Sequence, residues 1–125
     1  MEAKYRVTES EREVLEMLWN YKEGIKQSDL LEKMNEAGKD WKRQTLNTFI
    51  TRLEEKGLVV RERRTVYPAM SKEEYSNIQI EEVVDSVYGG YFGNLALAFS
   101  KKKKLTPKDI EQLQKLVEEY QKEDI

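Results

Sequence analysis

The stretch RQTLNTFITRLEEKGLVVRERRTVYPA, residues 43–69, changes its hydrophobic period part-way along, and this change indicates the fold. Its first half places apolar side chains three and four positions apart, at Leu46, Phe49, Ile50 and Leu53. That spacing predicts an amphipathic helix over about residues 43–56, with Gly57 as its left-handed C-terminal cap. Residues 58–69 are rich in valine and arginine, which predicts a short β-hairpin with a polar tip.

Two further helices are predicted on the N-terminal side of this stretch. Thr8 and Glu11 have the spacing of a capping box, so a helix is expected over about residues 9–21. A second helix is expected from about Gln27, ending in the turn at residues 35–40. Their apolar stripes are Val14, Leu15, Leu18 and Trp19 in the first, and Leu30, Leu31 and Met34 in the second. Three helices followed by a hairpin predict a winged helix-turn-helix.

The C-terminal part returns to a helical period. Ser71 and Glu74 form a second capping box, and Gly89 and Gly90 break the helix that follows. An apolar stretch at residues 92–99 and a lysine run, Lys101 to Lys104, precede a last helix that begins at Thr106 and Pro107. The expected fold is mainly α with a small β-hairpin wing, divided into a winged-helix domain, residues 1–70, and a helical domain, residues 71–125.

Composition excludes most kinds of catalytic and metal site. The 125 residues include no cysteine and no histidine, so thiolate and imidazole ligands and the usual general base are missing. We therefore expect no metal, no cofactor and no enzymatic activity. The N-terminus lacks the apolar core of a signal peptide, and no apolar stretch reaches the roughly 18 residues of a membrane span. A cytoplasmic protein without a membrane partner is expected.

The supply of apolar residues favours a homodimer. Hydrophobic residues make up 38% of the chain and charged residues 37%, which is little for two independent cores. Short C-terminal helices enclose little volume, so their apolar stripes are expected to pack against a second copy, although an intramolecular core is the simpler alternative. The expected dimerisation residues are Val83, Val84, Val87, Tyr88, Phe92, Leu95, Leu97, Phe99, Ile110, Leu113, Leu116 and Val117.

Positive charge is concentrated in the third helix and the hairpin. All seven arginines precede residue 71, and residues 41–67 carry seven basic and three acidic side chains, although the whole chain has a net charge of −2. The outward positions of the third helix are Arg43, Gln44, Asn47, Thr48, Thr51 and Arg52. Guanidinium, amide and hydroxyl groups can bind phosphates and read base edges, so this distribution predicts contact with a DNA duplex.

Simpler interpretations compete with the DNA interpretation. An amphipathic helix usually has an ordinary solvated face, but residues 43–52 contain no acid, whereas a solvated face usually mixes both signs. Arginines of the hairpin could also protect a sheet edge from aggregation. We interpret the lysine run as a solvated connector. A winged-helix module that docks an acidic protein instead of DNA remains the alternative function. A carboxylate-based hydrolase needs two converging acids, which no motif provides.

Three segments resemble the penicillinase repressor family, and the resemblance covers nearly the whole chain. They are EREVLEMLW at residues 11–19, QTLNTFITRLEEKG at residues 44–57 and VYGGYFGNLALAF at residues 87–99. The resemblance implies a homodimer that binds a two-fold-related, double-stranded operator and blocks transcription until a signal inactivates it. By position, it assigns Arg43, Gln44, Thr45, Asn47, Thr48 and Arg52 to the recognition helix, and Arg61, Arg63, Arg64 and Tyr67 to the wing.

This sequence departs from the family pattern at two places. Family members commonly carry arginine at the position of Asn47, and asparagine suits adenine rather than guanine. Relatives that respond to β-lactams are cleaved at an Asn-Phe bond, and the matching pair is Ala98-Phe99. An inactivating protease would therefore meet an altered bond or use another site. The copper-responsive branch binds metal through C-terminal cysteines, which this chain lacks.

Overall fold

A computed structural model describes residues 5–123 and shows the predicted order of three helices, a hairpin and further helices. The helices are α1 (Glu9–Leu18), α2 (Gln27–Glu36), α3 (Arg43–Glu55), α4 (Lys72–Val87), α5 (Phe92–Lys102) and α6 (Pro107–Glu123). The strands are β1 (Ile25–Lys26), β2 (Val59–Glu62) and β3 (Thr65–Pro68). The mainly helical fold with a small β wing is confirmed.

Helix α1 begins at the predicted capping box and ends earlier than predicted. The Thr8 hydroxyl accepts from the backbone N–H of Glu11, and the Glu11 carboxylate accepts from the backbone N–H of Thr8. The prediction extended the helix to residue 21, but the N–H groups of Asn20 and Tyr21 bond three residues back, to Met17 and Leu18. These tight turns close the helix at Leu18 and lead into β1.

The wing is a three-stranded antiparallel sheet rather than an isolated hairpin. Its strand order is β1-β3-β2, with Ile25 opposite Val66 and Arg61 also opposite Val66 on the other side. The sequence did not indicate β1, because a strand of two residues is too short to show an alternating pattern. β1 attaches the wing to the start of α2, so the sheet and the helices form one unit.

The core of this unit is formed by the predicted apolar stripes. Its buried side chains are Val14, Leu15, Leu18, Ile25, Leu30, Met34, Leu46, Ile50, Leu53, Leu58, Val59, Val66 and Tyr75. Glu11 is also fully buried, and the Lys56 ammonium after α3 binds both of its carboxylate oxygens. This ion pair fixes the end of α3 against the first turn of α1.

The first turns of α4 pack on the winged-helix core. The Tyr75 ring lies 5.6 Å from the Trp19 ring, and its hydroxyl donates to the carbonyl of Tyr5 at 3.1 Å. The Trp19 indole N–H donates to the Met70 carbonyl at 3.0 Å. Burial raises the pKa of Tyr75, so its hydroxyl remains a donor. These contacts attach the beginning of α4 to α1.

The described chain forms two compact units, one extending to Glu82 and the other beginning at Val83. Residues 72–82 of α4 thus belong to the first unit, while the functional boundary between residues 70 and 71 stays a prediction. The second unit contains the end of α4, α5 and α6. Helix α5 contains the apolar stretch at residues 92–99 and continues into the lysine run. Lys101 and Lys102 therefore end a helix rather than lie in the predicted connector, and their charge suits the negative end of the helix dipole.

None of the helices within residues 5–123 combines the length and the apolar character needed to cross a membrane.

Candidate nucleic-acid interface

Helix α3 has one buried face and one exposed polar face. Leu46, Ile50 and Leu53 enter the core. The predicted recognition residues all lie on the exposed surface: Arg43, Gln44, Thr45, Asn47, Thr48 and Arg52. The Thr48 hydroxyl donates to the Gln44 carbonyl at 3.0 Å, so its oxygen remains able to accept from a ligand. The exposed face therefore offers two guanidinium groups, two amides and two hydroxyls.

The turn before α3 is fixed by the side chain of Asn35, the first residue of the predicted turn. Its side-chain amide donates to the Trp41 carbonyl at 3.1 Å and accepts from the Trp41 N–H at 2.9 Å. The Trp41 ring then lies 5.0 Å from the Phe49 ring on α3. Asparagine in the last turn of a helix is a known turn signal, but its partner six residues away is visible only in the structure. These contacts set the orientation of α3 relative to α2.

The N-terminus of α3 has the electrostatics of an anion-binding end. Its N-cap is Lys42, no side chain among residues 5–123 caps it, and its first turn contains no acid. The first backbone N–H groups of a helix lack intrahelical acceptors and carry the positive end of the helix dipole. With Lys42 and Arg43 beside them, these groups favour a phosphate oxygen.

The wing presents two arginines at its tip. Arg63 and Arg64 form the turn between β2 and β3, and both are exposed. Arg63 has a φ of 58°, a left-handed conformation that costs an L residue about 1–2 kcal/mol. Glycine at this position would relieve that cost.

Tyr67, which was assigned to the wing surface, is half-buried away from the tip. Its ring lies over Gly24, where an added Cβ would sit 2.5 Å from a Tyr67 ring carbon. Gly24 also has a φ of 96°, so this position excludes a side chain on two grounds. Tyr67 thus packs the turn between α1 and β1 against the sheet.

Arg61, also assigned to the wing surface, turns back onto α3. Its side chain is 19% exposed. One terminal nitrogen, Nη1, donates to Asn47 Oδ1 at 2.6 Å and to Gln27 Oε1 at 3.3 Å. The other, Nη2, donates to Thr51 Oγ1 at 3.0 Å and to Glu54 Oε1 at 3.2 Å. Gln27, which the sequence did not single out, donates in turn to Asn47 Oδ1 at 3.3 Å.

The strand pattern contained a signal for this inward position. Arg61 lies two residues after the buried Val59, and residues two apart on a strand share a face. The structure thus brings Arg61, Asn47 and Gln27 together on one side of α3, while Arg63 and Arg64 are exposed at the tip.

The second unit exposes most of the predicted dimerisation residues. Val84 is 8% exposed and is packed within the chain. Tyr88, Leu95 and Leu113 are half-buried. The exposed members are Val83, Val87, Phe92, Leu97, Phe99, Ile110, Leu116 and Val117, together with Tyr91 and Tyr120, which the prediction omitted. The Ala98-Phe99 bond lies inside α5. Such a surface is more apolar than a solvated helix pair normally presents.

Among residues 5–123, no three or more acidic side chains are grouped so that they could hold a metal ion. The polar groups of the first unit instead form an exposed surface made of the outer face of α3 and the tip of the wing.

The comparisons agree with this architecture. The model of the penicillinase repressor family matches residues 7–119. The methicillin resistance regulatory protein MecI of Staphylococcus aureus strain N315 is 30% identical over 117 residues, which cover 90% of this chain and 94% of that protein. MecI of Mammaliicoccus sciuri is 29% identical over 117 residues with the same coverage. The resemblance predicted from the sequence is confirmed. The chain belongs to the penicillinase repressor family.

Proposed function

We propose that this chain is a dimeric, sequence-specific DNA-binding transcriptional repressor that binds a palindromic operator. One observation carries the proposal: the outer face of α3 is exposed, polar and free of acid from Arg43 to Arg52, and the wing tip adds two exposed arginines. Membership of a family of repressors supports the same function. The relatives are named as regulators of methicillin resistance, and a regulatory role is what we carry over from them.

In the proposed complex, α3 enters the major groove and the wing lies along the phosphate backbone. Arg43 and Arg52 have the forked donors that suit two phosphate oxygens or the O6 and N7 edge of guanine. The uncapped N-terminus of α3 faces a phosphate. Arg63 and Arg64 bind flanking phosphates. Phosphate contacts provide most of the affinity, and contacts to base edges provide the sequence preference.

The exposed apolar residues of α5 and α6 support dimerisation. Phe92, Leu97, Phe99, Leu116 and Val117 each leave about half or more of their surface exposed in the single chain. Full burial of an exposed side chain of this size gives roughly 1.5–3 kcal/mol, so burying the remaining half against a second copy gives about 1 kcal/mol each. A two-fold dimer would place its two α3 helices in successive major grooves, roughly 34–36 Å apart, and would require a two-fold operator. Such a repressor acts in the cytoplasm, where it meets the DNA.

Proteolytic release from DNA at the Ala98-Phe99 bond would require a change in the structure of α5. The Ala98-Phe99 bond is in the middle of α5, and an extended segment is what a protease normally binds. An inactivating protease would need to unwind α5 first or cut elsewhere.

Selection of bound duplexes from a random library, followed by footprinting on the best sequence, tests the proposal. We expect enrichment of a two-fold site with half-sites about one helical turn apart. Salt-sensitive binding with no enriched sequence would contradict it and favour a module that docks an acidic protein through the arginine face. Competition by an unrelated duplex distinguishes a repressor from such a module. The unrelated duplex should displace non-specifically bound DNA, whereas a specific operator should stay bound.

A further inference from the structure

We propose that Arg61 is a positioning residue that occupies the side-chain oxygen of Asn47, so that Asn47 can only donate a hydrogen bond to DNA. Asn47 then selects a keto base, guanine or thymine, at one position of each half-site. This inference rests on the proposed function and adds the base class that one residue reads. It replaces the adenine preference that an asparagine alone would indicate.

The first step concerns the oxygen of Asn47. An amide oxygen has two lone pairs. Here both have donors, Arg61 Nη1 at 2.6 Å and Gln27 Nε2 at 3.3 Å. The orientation of the amide follows from these partners, because the nitrogen of Asn47 would meet only other donors if it were turned toward them. The oxygen of Asn47 is therefore fully used inside the protein.

The second step concerns the nitrogen of Asn47. Its side chain is exposed, and Nδ2 forms no hydrogen bond with the residues that the structure describes. Pairing with adenine requires the amide to accept from N6 and donate to N7 at the same time. With the oxygen occupied, only donation is left. Nδ2 can donate to N7 of either purine, but at the exocyclic position only O6 of guanine and O4 of thymine accept, whereas adenine and cytosine present amino donors there. Guanine and thymine therefore offer Nδ2 an acceptor at the position where adenine and cytosine oppose it with a second donor.

The third step concerns Arg61 itself. Both terminal nitrogens of its guanidinium are engaged, Nη1 with two amide oxygens and Nη2 with Thr51 and Glu54. The Glu54 carboxylate also balances its charge at 3.2 Å. A guanidinium in this state lacks the free fork that binds a phosphate. Arg61 therefore acts through Asn47, whereas Arg64, exposed at the wing tip, has the properties of a direct phosphate ligand.

The test repeats the duplex selection with the full chain and four variants. Wild type is expected to enrich guanine or thymine at one position of each half-site, with about a tenfold preference over adenine. Arg61→Met leaves the Gln27 bond in place but frees one lone pair of the Asn47 oxygen, so it should move that position alone toward adenine. Asn47→Ala should make it indifferent, and the double variant should behave like Asn47→Ala. Arg64→Met is the matched control, with weaker binding at every sequence and unchanged base preference.

Asn47→Asp provides a second variant in case Arg61→Met unfolds, which thermal denaturation detects. One oxygen of the introduced carboxylate can keep Arg61 while the other presents an acceptor, so preference should move to cytosine or adenine. Enrichment of adenine by wild type, an unchanged base preference in Arg61→Met, or a retained guanine or thymine in Asn47→Asp would overturn the inference. Failure of wild type to enrich any two-fold site would instead overturn the proposed function.

Discussion

The Lys56 ammonium, directly after α3, donates hydrogen bonds to both carboxylate oxygens of Glu11, which is fully buried in the first turn of α1. Burial alone would raise the pKa of Glu11. The hydrogen bond from Lys56, the bonds from Thr8 and the Lys56 charge outweigh burial and hold the pKa of Glu11 below its ordinary value. The ion pair therefore holds the C-terminal end of α3 against the first turn of α1.

Loss of either partner should destabilise the fold, but by different amounts. Glu11→Gln keeps the capping geometry and leaves a partly exposed lysine, so we expect a loss of about 1 kcal/mol in the free energy of unfolding. Lys56→Met leaves a buried carboxylate without its cation and should cost about 3 kcal/mol. Urea unfolding at pH 7 measures both. Equal losses would contradict the ion-pair description.

The same pair predicts a pH dependence. Because the pKa of Glu11 is lower in the folded state, its contribution is fully present above the unfolded value of about 4.3 and is lost as the pH falls through the folded value. Wild type should therefore begin to lose its advantage over Glu11→Gln as the pH falls below the unfolded pKa of about 4.3. Unfolding curves for both proteins between pH 3 and pH 7 check this, and a constant difference across that range would argue against it.

Arg52→Ala should weaken operator binding and reduce its salt dependence. If Arg52 binds one phosphate per half-site, the slope of log K against log salt should fall by about 0.9 for each lost contact. The matched control is Arg12→Ala, since Arg12 is an exposed arginine on α1 that pairs with Glu16 outside α3 and the wing. Fluorescence anisotropy at several salt concentrations measures the slope. An identical slope in both variants would show that Arg52 does not contact a DNA phosphate.

Glycine substitutions at the two wing-tip positions should differ in their effect on stability but should both weaken operator binding. Arg63→Gly removes a left-handed strain that Arg64→Gly does not, because φ is positive only at Arg63 among the described non-glycine residues. Arg63→Gly should therefore be the more stable variant by about 1 kcal/mol. Both should bind operator more weakly than wild type. Thermal unfolding and anisotropy test the two statements, and unchanged affinity in both variants would exclude the wing tip from DNA contact.

A charge on the exposed face of α6 should dissociate the dimer. In Leu116→Glu, each copy would carry a carboxylate into an apolar interface, and we expect at least a tenfold rise in the dimer dissociation constant. Lys115→Glu, at the neighbouring exposed position, is the control and should remain dimeric. Sedimentation equilibrium distinguishes them. A dimeric Leu116→Glu protein, or a monomeric wild type, would show that this face serves another purpose.

Local signals allowed much of the fold to be predicted. The capping boxes at Thr8 and Ser71, the three-and-four spacing in α1 to α3 and the change of period after Gly57 all involve neighbours within a few residues. They identified the elements of the winged helix because short-range hydrogen bonds and one buried face determine where each element begins and ends.

Contacts between distant residues were not predictable in this way. Glu11 was identified as a cap, but its partner Lys56 lies 45 residues away. Arg61 was assigned to the wing by position; its spacing from Val59 indicated the inward face, but its three acceptors on α3 are visible only in the structure. Tyr67 was assigned by position, and only the close approach of Gly24 explains its half-buried ring. Side-chain direction at these sites depends on the tertiary partner.

The two tryptophans of the chain have different aromatic partners in the winged-helix unit: Trp19 packs against Tyr75 of α4, and Trp41, in the turn before α3, packs against Phe49. The fluorescence of each indole therefore reports on a different contact. A Trp19→Phe protein keeps Trp41, so its emission would report changes beside α3. A Trp41→Phe protein keeps Trp19, so its emission would report changes in the contact with α4. Stopped-flow traces of the two variants mixed with the proposed operator could then show, without any added dye, whether a change beside α3 precedes or follows a change beside α4.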